Sequence, residues 1–226
     1  MSKNKSRPAK NRGEYRLVLP FAKLFAPAFK VMYYVFIALL VLSAIVALIV
    51  LFVNTSVENI MLPPLMTLHE DEYYSIFIGN GIRIDAAYEA VTLADIKTVI
   101  YAELIMFAAI CCMMTPIMLF LSRLMSNIAS DAPYNLKNAR YTIFIGLSVM
   151  VGYTVVLIAR RFYNYLLVKT FVADSEAIHL SMGVDFGGIV IGALIILLGY
   201  VMGHALERHM AEVSIPENHS EVQKSE

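Results

Sequence analysis

A run of 23 residues without a single charge, from Val31 to Val53, most constrains what this chain can fold into. A helix needs about 20 mostly apolar residues to cross roughly 30 Å of hydrocarbon. The run is too long for the apolar core of a signal peptide, and no small-residue cleavage motif follows it. Since backbone groups in lipid must be hydrogen-bonded within their own segment, the run is predicted to be a retained transmembrane helix.

Three further apolar runs follow the first one. They predict spans at about 98–121, 141–159 and 184–204. Only 16% of the residues are charged, against about a quarter in soluble domains, and most of the charges fall between these runs. The sequence therefore predicts an all-α membrane protein, a four-transmembrane-helix bundle over residues 31–206 with a small structured external loop.

The distribution of lysine and arginine predicts how the spans are oriented. Residues 1–30 contain eight basic residues and one acid, whereas residues 54–96 contain one basic residue and seven acids. The connection between the second and third spans is basic again, with Arg123, Lys137 and Arg140. Because cytoplasmic loops are enriched in basic residues, the N-terminus and this connection are predicted to be cytoplasmic. Four spans then return the C-terminus to the cytoplasm.

One group of basic residues conflicts with this topology. Arg160, Arg161 and Lys169 fall in the connection that the topology places outside. Tyr163 and Tyr165 lie beside them, as in an interfacial aromatic belt, where long basic side chains extend to lipid headgroups. Because the first helix usually dominates insertion, the N-terminal excess of basic residues is expected to set the orientation.

The segments before the first span and after the last differ in charge. Residues 1–10 are polar and expected to be disordered, whereas residues 15–30 are apolar with interspersed basic residues. Pro20 and Pro27 argue against one continuous helix there, because proline lacks an N–H and clashes with the preceding turn. This basic cytoplasmic segment is either held to anionic lipid at the interface or only an orientation signal. Residues 207–226 are predicted to form an acidic cytoplasmic tail that starts as a helix.

The external loop, residues 54–97, is too long for a simple connection and is expected to be structured. Within it, residues 76–84 (IFIGNGIRI) alternate on both sides of Asn80-Gly81. Asn-Gly suits the positive φ angles of a type I′ turn, so this pattern predicts a β-hairpin. Residues 69–72 (HEDE) could hold a divalent cation, but an acidic run is more often simply solvated, and no metal site is predicted.

Four glycines on the fourth span fall near one helical face. Gly188, Gly192, Gly199 and Gly203 are separated by four, seven and four residues and form two GxxxG units. Such small residues let helix backbones approach closely in lipid, where no hydrophobic drive acts between helices. This face is predicted to pack against another helix, either in the same chain or in a second copy across a homodimer interface.

Glu103 is the one acid well within a predicted span. An ionisable residue at this depth is a functional candidate by default, because placing a charge in lipid is costly. It lies about five residues from the outer end of the span, or roughly 7–8 Å, which is near enough for headgroup water. A structural contact to a donor of the outer loop and a proton or ion pathway both stay open.

The sequence contains no motif that is typical of catalysis. It has no H-E-x-x-H, nucleophile elbow, P-loop or dinucleotide fingerprint, and its net charge of zero gives no overall field that would favour nucleic acid. We therefore expect a non-enzymatic protein without cofactors that does not bind nucleic acid directly. It is either an interaction or regulatory protein that uses its cytoplasmic face, or a small transporter or channel with a homodimeric bundle. The broken helices and repeats of many transporters are not evident, which favours the first function.

The segment DAPYNLKNAR at residues 131–140 leads into the third span, and GHALERHMAEV at residues 203–213 leaves the fourth. Both resemble the corresponding motifs of the domain of unknown function 2975 family, with Tyr134 in place of the usual Phe. The resemblance implies a bacterial four-span protein of the cytoplasmic membrane. It also implies a membrane-bound partner for a cytoplasmic protein, such as a small helix-turn-helix regulator.

Candidate binding residues at the cytoplasmic face come from these two segments: Asp131, Pro133, Asn138, Arg140 and Glu207. Asp131 and Pro133 suit the start of a helix, whereas Asn138 and Arg140 suit carbonyl or phosphate groups. The set comes together if the end of span four lies beside the start of span three, and an Arg140–Glu207 contact is then expected. A structural role and a partner-binding surface both stay open for these residues.

Overall fold

The computed structural model describes residues 12–52, 66–68, 73–78, 82–87, 91–130, 135–171 and 185–214. Its helices are α1 (Arg12–Phe52), α2 (Leu93–Ala129), α3 (Leu136–Phe171) and α4 (Gly187–Ser214). Its strands are β1 (Met66–Leu68), β2 (Tyr73–Ile78) and β3 (Ile82–Ala87). All four helices are long and apolar enough to cross a membrane, so the predicted fold class is confirmed and the chain is a multi-pass membrane protein.

The third helix is much longer than the predicted span, which ended at Ala159. Ala159, Tyr163 and Leu167 are spaced by four residues and are 7%, 2% and 0% exposed, so the last turns of α3 bury one continuous face. Arg160 and Arg161 are exposed on the same turns. Arg160, Arg161 and Lys169, which the sequence analysis assigned to a connection, therefore belong to α3. The last turns of this helix are amphipathic, and packing of their apolar side stabilises the helix there.

The first helix runs without interruption through both of its prolines. The expectation that Pro20 and Pro27 prevent a continuous helix was wrong, because α1 extends from Arg12 to Phe52. Membrane helices tolerate proline where neighbouring groups supply hydrogen bonds to the backbone near it. The Ser122 hydroxyl of α2 donates to the Ala26 carbonyl at 3.0 Å, whereas the carbonyl that Pro27 leaves without its helical N–H is that of Lys23, four residues earlier.

The segment between α1 and α2 contains the predicted β-hairpin and one further strand. β2 and β3 pair antiparallel with Ile78 opposite Ile82, so three residues connect them, where the predicted Asn80-Gly81 turn has two. A two-residue turn would place Ile78 opposite Arg83, whereas the observed register pairs isoleucine with isoleucine and keeps the two apolar patterns in phase. β1 pairs with the other edge of β2. The turn residues and the acidic run at 69–72 lie outside the described residues.

The chain divides into two compact units. The first unit comprises Met1–Tyr33, Pro116–Ser148 and Val190–Glu226, and the second comprises Tyr34–Thr115 and Val149–Ile189. In the first unit, the ring of Phe120 on α2 stacks with Tyr141 and Phe144 of α3, at centroid distances of 6.2 and 5.1 Å. In the second unit, the Tyr101 hydroxyl of α2 donates to the Ala47 carbonyl of α1 at 3.2 Å. In each unit a side chain of α2 thus contacts another helix.

Candidate functional site

The start of α3 is capped by Asn135. Its side-chain oxygen accepts the Lys137 N–H at 3.0 Å, and its carbonyl accepts the Asn138 N–H at 2.8 Å. An asparagine in this position satisfies backbone donors that have no partner inside the helix. The sequence interpretation gave the helix start to Asp131 and Pro133, which lie outside the described residues.

Asn138 is a packing residue in the first unit. It is 1% exposed, and its side-chain oxygen accepts a hydrogen bond from the amide of Asn127 on α2 at 2.8 Å. Its carbonyl also accepts from the Thr142 hydroxyl at 3.0 Å. Because a buried amide is costly without hydrogen bonds, this pair fixes the start of α3 against α2. The sequence interpretation proposed Asn138 as a binding residue and missed Asn127, since nothing in the local pattern shows that the two asparagines meet.

The end of α4 lies beside the start of α3 in the first unit, as the sequence interpretation required. A side-chain carbon added at Gly199 would lie 3.1 Å from the Ala139 carbonyl, and one added at Gly203 would lie 3.5 Å from the Ala139 side chain. Further along α3, a carbon added at Gly146 would lie 2.7 Å from the Gly192 carbonyl. Helix backbones come this close only where small residues face each other.

The glycine face of α4 is therefore used within the chain. In the second unit, Gly188 lies directly against the Tyr153 ring of α3, which leaves no room for a side chain. Gly188, Gly192 and Gly199 are all buried. Of the two alternatives for this face, the structure shows packing within the chain, and a homodimer would need another surface.

Lys137, Arg140 and Glu207 are exposed near this contact, and we call these three residues the α3–α4 edge. Lys137 and Arg140 lie in the first turns of α3, two and five residues after the Asn135 cap. Glu207 lies one helical turn beyond Gly203. The predicted Arg140–Glu207 ion pair is not formed between these two described residues, and both side chains are exposed to water, where such a pair would contribute only about 0–1 kcal/mol. These exposed charges therefore contribute little to holding the fold together.

Glu103 is half-buried on α2 in the second unit. It lies close enough to Tyr163 of α3 to interact with it electrostatically, and Tyr163 is 2% exposed. Glu103 also makes contacts within the chain. The structural and the pathway interpretations of Glu103 therefore both stay predictions.

A polar cluster at the start of α4 was missed by the sequence interpretation. Asp185 accepts the Gly187 N–H at 2.9 Å and the hydroxyl of Tyr153 from α3. The hydrogen bond from Tyr153, then that from Gly187 and the nearby charge of Arg160, lower the pKa of Asp185 below its ordinary value. The available signal was an aspartate two residues before a helical apolar run, which is typical of an N-cap.

Metal binding finds no support in the part of the chain that the structure describes. No three His, Cys, Asp or Glu side chains come together there in a metal-binding group. The two adjacent cysteines differ in surroundings, since Cys111 is buried and Cys112 is exposed.

No family model matches the chain, and neither the curated proteins nor the solved structures contain a match. The resemblance to the domain of unknown function 2975 family thus stays a prediction from two short segments. Function has to be inferred from the chain's own residues.

Proposed function

We propose that this chain is a non-enzymatic membrane protein that acts as an interaction or regulatory protein through the α3–α4 edge. The observation that carries this proposal is the placement of exposed charges on a firmly packed base. This base consists of the buried residues Asn138 and Ala139 at the start of α3. In the first unit, Asn138 is hydrogen-bonded to Asn127 of α2, and Ala139 contacts Gly203 of α4. A surface supported in this way is preorganised, which lowers the cost of ordering side chains on binding.

The chemistry of the edge favours a charged protein surface as the partner. Lys137 and Arg140 offer hydrogen-bond donors to carboxylates, and Glu207 offers an acceptor to a basic side chain. A mixed pattern of this kind selects partners by charge complementarity, which controls specificity and association rate. A soluble cytoplasmic protein such as a small helix-turn-helix regulator, which the family resemblance implies, would fit it.

Our proposal places the protein in the inner membrane of a bacterium with both termini and the α3–α4 edge in the cytoplasm. Its support is the excess of basic residues in residues 1–30 and in the connection between α2 and α3. Single cysteines introduced into a variant without Cys111 and Cys112 test this orientation. With an impermeant maleimide, Phe186→Cys should label in intact cells, and Lys137→Cys only after the membrane is permeabilised. The opposite labelling pattern would overturn the topology.

Charge reversal tests the proposed partner surface. Arg140→Glu and Glu207→Lys should each reduce crosslinking to a soluble protein in native membranes by about tenfold, which corresponds to 1.4 kcal/mol of binding. Arg123→Glu is the matched control, because Arg123 is exposed on α2 in the same unit but lies outside the edge. Equal crosslinking in all variants, or no crosslinked protein with the unchanged chain, would refute the proposal.

A transporter or channel is the second candidate, and the half-buried Glu103 is the observation that favours it. It predicts ion or substrate flux in proteoliposomes that Glu103→Gln abolishes and Glu207→Gln preserves. Because the glycine face of α4 is occupied by α3, a homodimeric pore would have to form through another face. Absence of flux across a broad panel of ions and solutes would exclude this candidate.

A further inference from the structure

Residues 19–30 of α1, which we call the aromatic–basic segment, carry large apolar side chains that the rest of the chain leaves exposed. The rings of Phe21, Phe25 and Phe29 stack on one another, with centroid distances of 6.5 and 5.7 Å. Phe21 is 60% exposed, and Leu24 beside it is 66% exposed. Exposed apolar patches of this kind mark surfaces that contact another protein or a membrane.

The side of the segment that packs within the first unit is a different one. Ala22 is 1% exposed, and the Ala26 carbonyl accepts the hydroxyl of Ser122 from α2 at 3.0 Å. At about 3.6 residues per turn, Leu24 lies roughly opposite both alanines. The small residues are therefore covered by the chain itself, whereas the large apolar ones face outward.

The lysines of the segment lie on the side opposite the exposed phenylalanine. Lys23 and Lys30 are both exposed and seven residues apart, so they project from α1 in nearly the same direction. That direction is about 160–180° from Phe21 around the helix. The segment is thus amphipathic, as helices at a membrane surface are.

The place of the segment along α1 indicates the layer of the membrane that it meets. It directly precedes the charge-free run that starts at Val31, which is long enough to cross the hydrocarbon by itself. Hydrocarbon would enclose the charges of Lys23 and Lys30, and water would surround the ring of Phe21. The headgroup layer accommodates both kinds of side chain, since it holds apolar rings beside basic groups.

We propose that the aromatic–basic segment is an anchor that binds the surface of an anionic leaflet, with Phe21 and Leu24 against the acyl chains and Lys23 and Lys30 at the lipid phosphates. Charge complementarity supports this occupant, because no acid occurs from residue 15 to residue 57 to repel such lipids. The anchor is a second interaction surface, separate from the α3–α4 edge, and it assigns the N-terminal basic residues a role beyond orientation.

The absence of tryptophan from the sequence allows a site-specific probe of this anchor. Phe25→Trp places a single fluorophore within the stacked rings and keeps an aromatic side chain there. The full-length variant is reconstituted in phosphatidylcholine vesicles containing phosphatidylglycerol, with bromine on the acyl chains of one lipid or the other. Quenching by each brominated lipid gives the local ratio of the two lipids, and quenching by acrylamide measures contact with water.

The proposal predicts that phosphatidylglycerol is enriched at residue 25 by at least about fivefold over its bulk fraction, the factor expected for one lysine near an anionic surface. Replacing both Lys23 and Lys30 by glutamine should return the local ratio to the bulk value. Lys137→Gln is the matched control, because Lys137 is an exposed lysine of the same unit that belongs to α3, and it should preserve the enrichment. Acrylamide should quench the fluorophore only weakly.

Four results would overturn the proposal. A local ratio equal to the bulk ratio would show that the lysines do not select anionic lipid, and strong quenching by acrylamide would place the rings in water. Protection from acrylamide without quenching by either brominated lipid would show that a protein surface covers the rings. An equal loss of enrichment in Lys137→Gln and in the double variant would show that total charge attracts the lipid. Unchanged quenching by brominated phosphatidylcholine in pure phosphatidylcholine vesicles verifies that each lysine variant is folded and inserted.

Discussion

Two glycines at the contact of α3 with α4 should respond in opposite ways to the same substitution. A side-chain carbon added at Gly146 would lie 2.7 Å from the Gly192 carbonyl and 2.8 Å from the backbone nitrogen of Ile196. These are backbone atoms, so no rotation of a side chain relieves the overlap and α4 has to move. At Gly203 the nearest atom is the side-chain carbon of Ala139 at 3.5 Å, which is an ordinary contact.

The expected free energies follow from these distances. Overpacking a tight contact costs about 1–3 kcal/mol, and replacing a helical glycine by alanine gains about 0.5–1 kcal/mol. Gly146→Ala should therefore destabilise the protein by about 1–2 kcal/mol, because the overlap with backbone atoms outweighs the gain. Gly203→Ala has no overlap to offset the gain and should stabilise it by about 0.5–1 kcal/mol.

Thermal unfolding in detergent micelles, followed by size-exclusion chromatography of the heated samples, measures the difference. At about 2–4 °C per kcal/mol for a chain of this size, Gly146→Ala should lower Tm by about 4 °C and Gly203→Ala should raise it by about 2 °C. A Gly146→Ala variant as stable as the unchanged protein, or a shift of the same sign at both positions, would refute the close approach of α3 and α4.

Three further substitutions test hydrogen bonds of single side chains in the same thermal-unfolding assay. Asn138→Leu leaves the half-buried Asn127 amide without its acceptor and should cost about 1–2 kcal/mol, most of which adding Asn127→Leu should recover. Ser122→Ala should cost less than about 1 kcal/mol, as for other hydrogen bonds between membrane helices, and a clearly larger cost would contradict this expectation. Because its folded pKa is lowered, Asp185 stabilises the fold above its unfolded pKa and loses this effect as pH falls through the folded value. Asp185→Asn should therefore lower Tm at about pH 7, and this difference should shrink as the pH falls through the lowered pKa of Asp185; an equal Tm at about pH 7 would refute the stabilisation by this carboxylate.

The sequence could predict a feature of the α3–α4 contact only where residues of a single helix determine it. The glycine spacing on α4 indicated a packing face, because helical periodicity alone places those residues together. The sequence could not show that Asn138 turns inward to Asn127, because that choice depends on a residue of another helix. Arg140 and Glu207 were predicted as binding residues, and both are exposed. The crosslinking of their charge-reversal variants tests whether they bind a partner.

The sequence by itself determined the four spans and the hairpin. Crossing hydrocarbon requires about 20 consecutive apolar residues, and pairing of two strands requires alternation, and both are properties of contiguous segments. Tertiary structure alone decided that α3 continues to Phe171 and that the glycine face of α4 is covered by α3. Each of these outcomes depends on contacts between residues far apart in the chain. The buried face of α3 and the glycine face of α4 acquire their partners only when the helices pack.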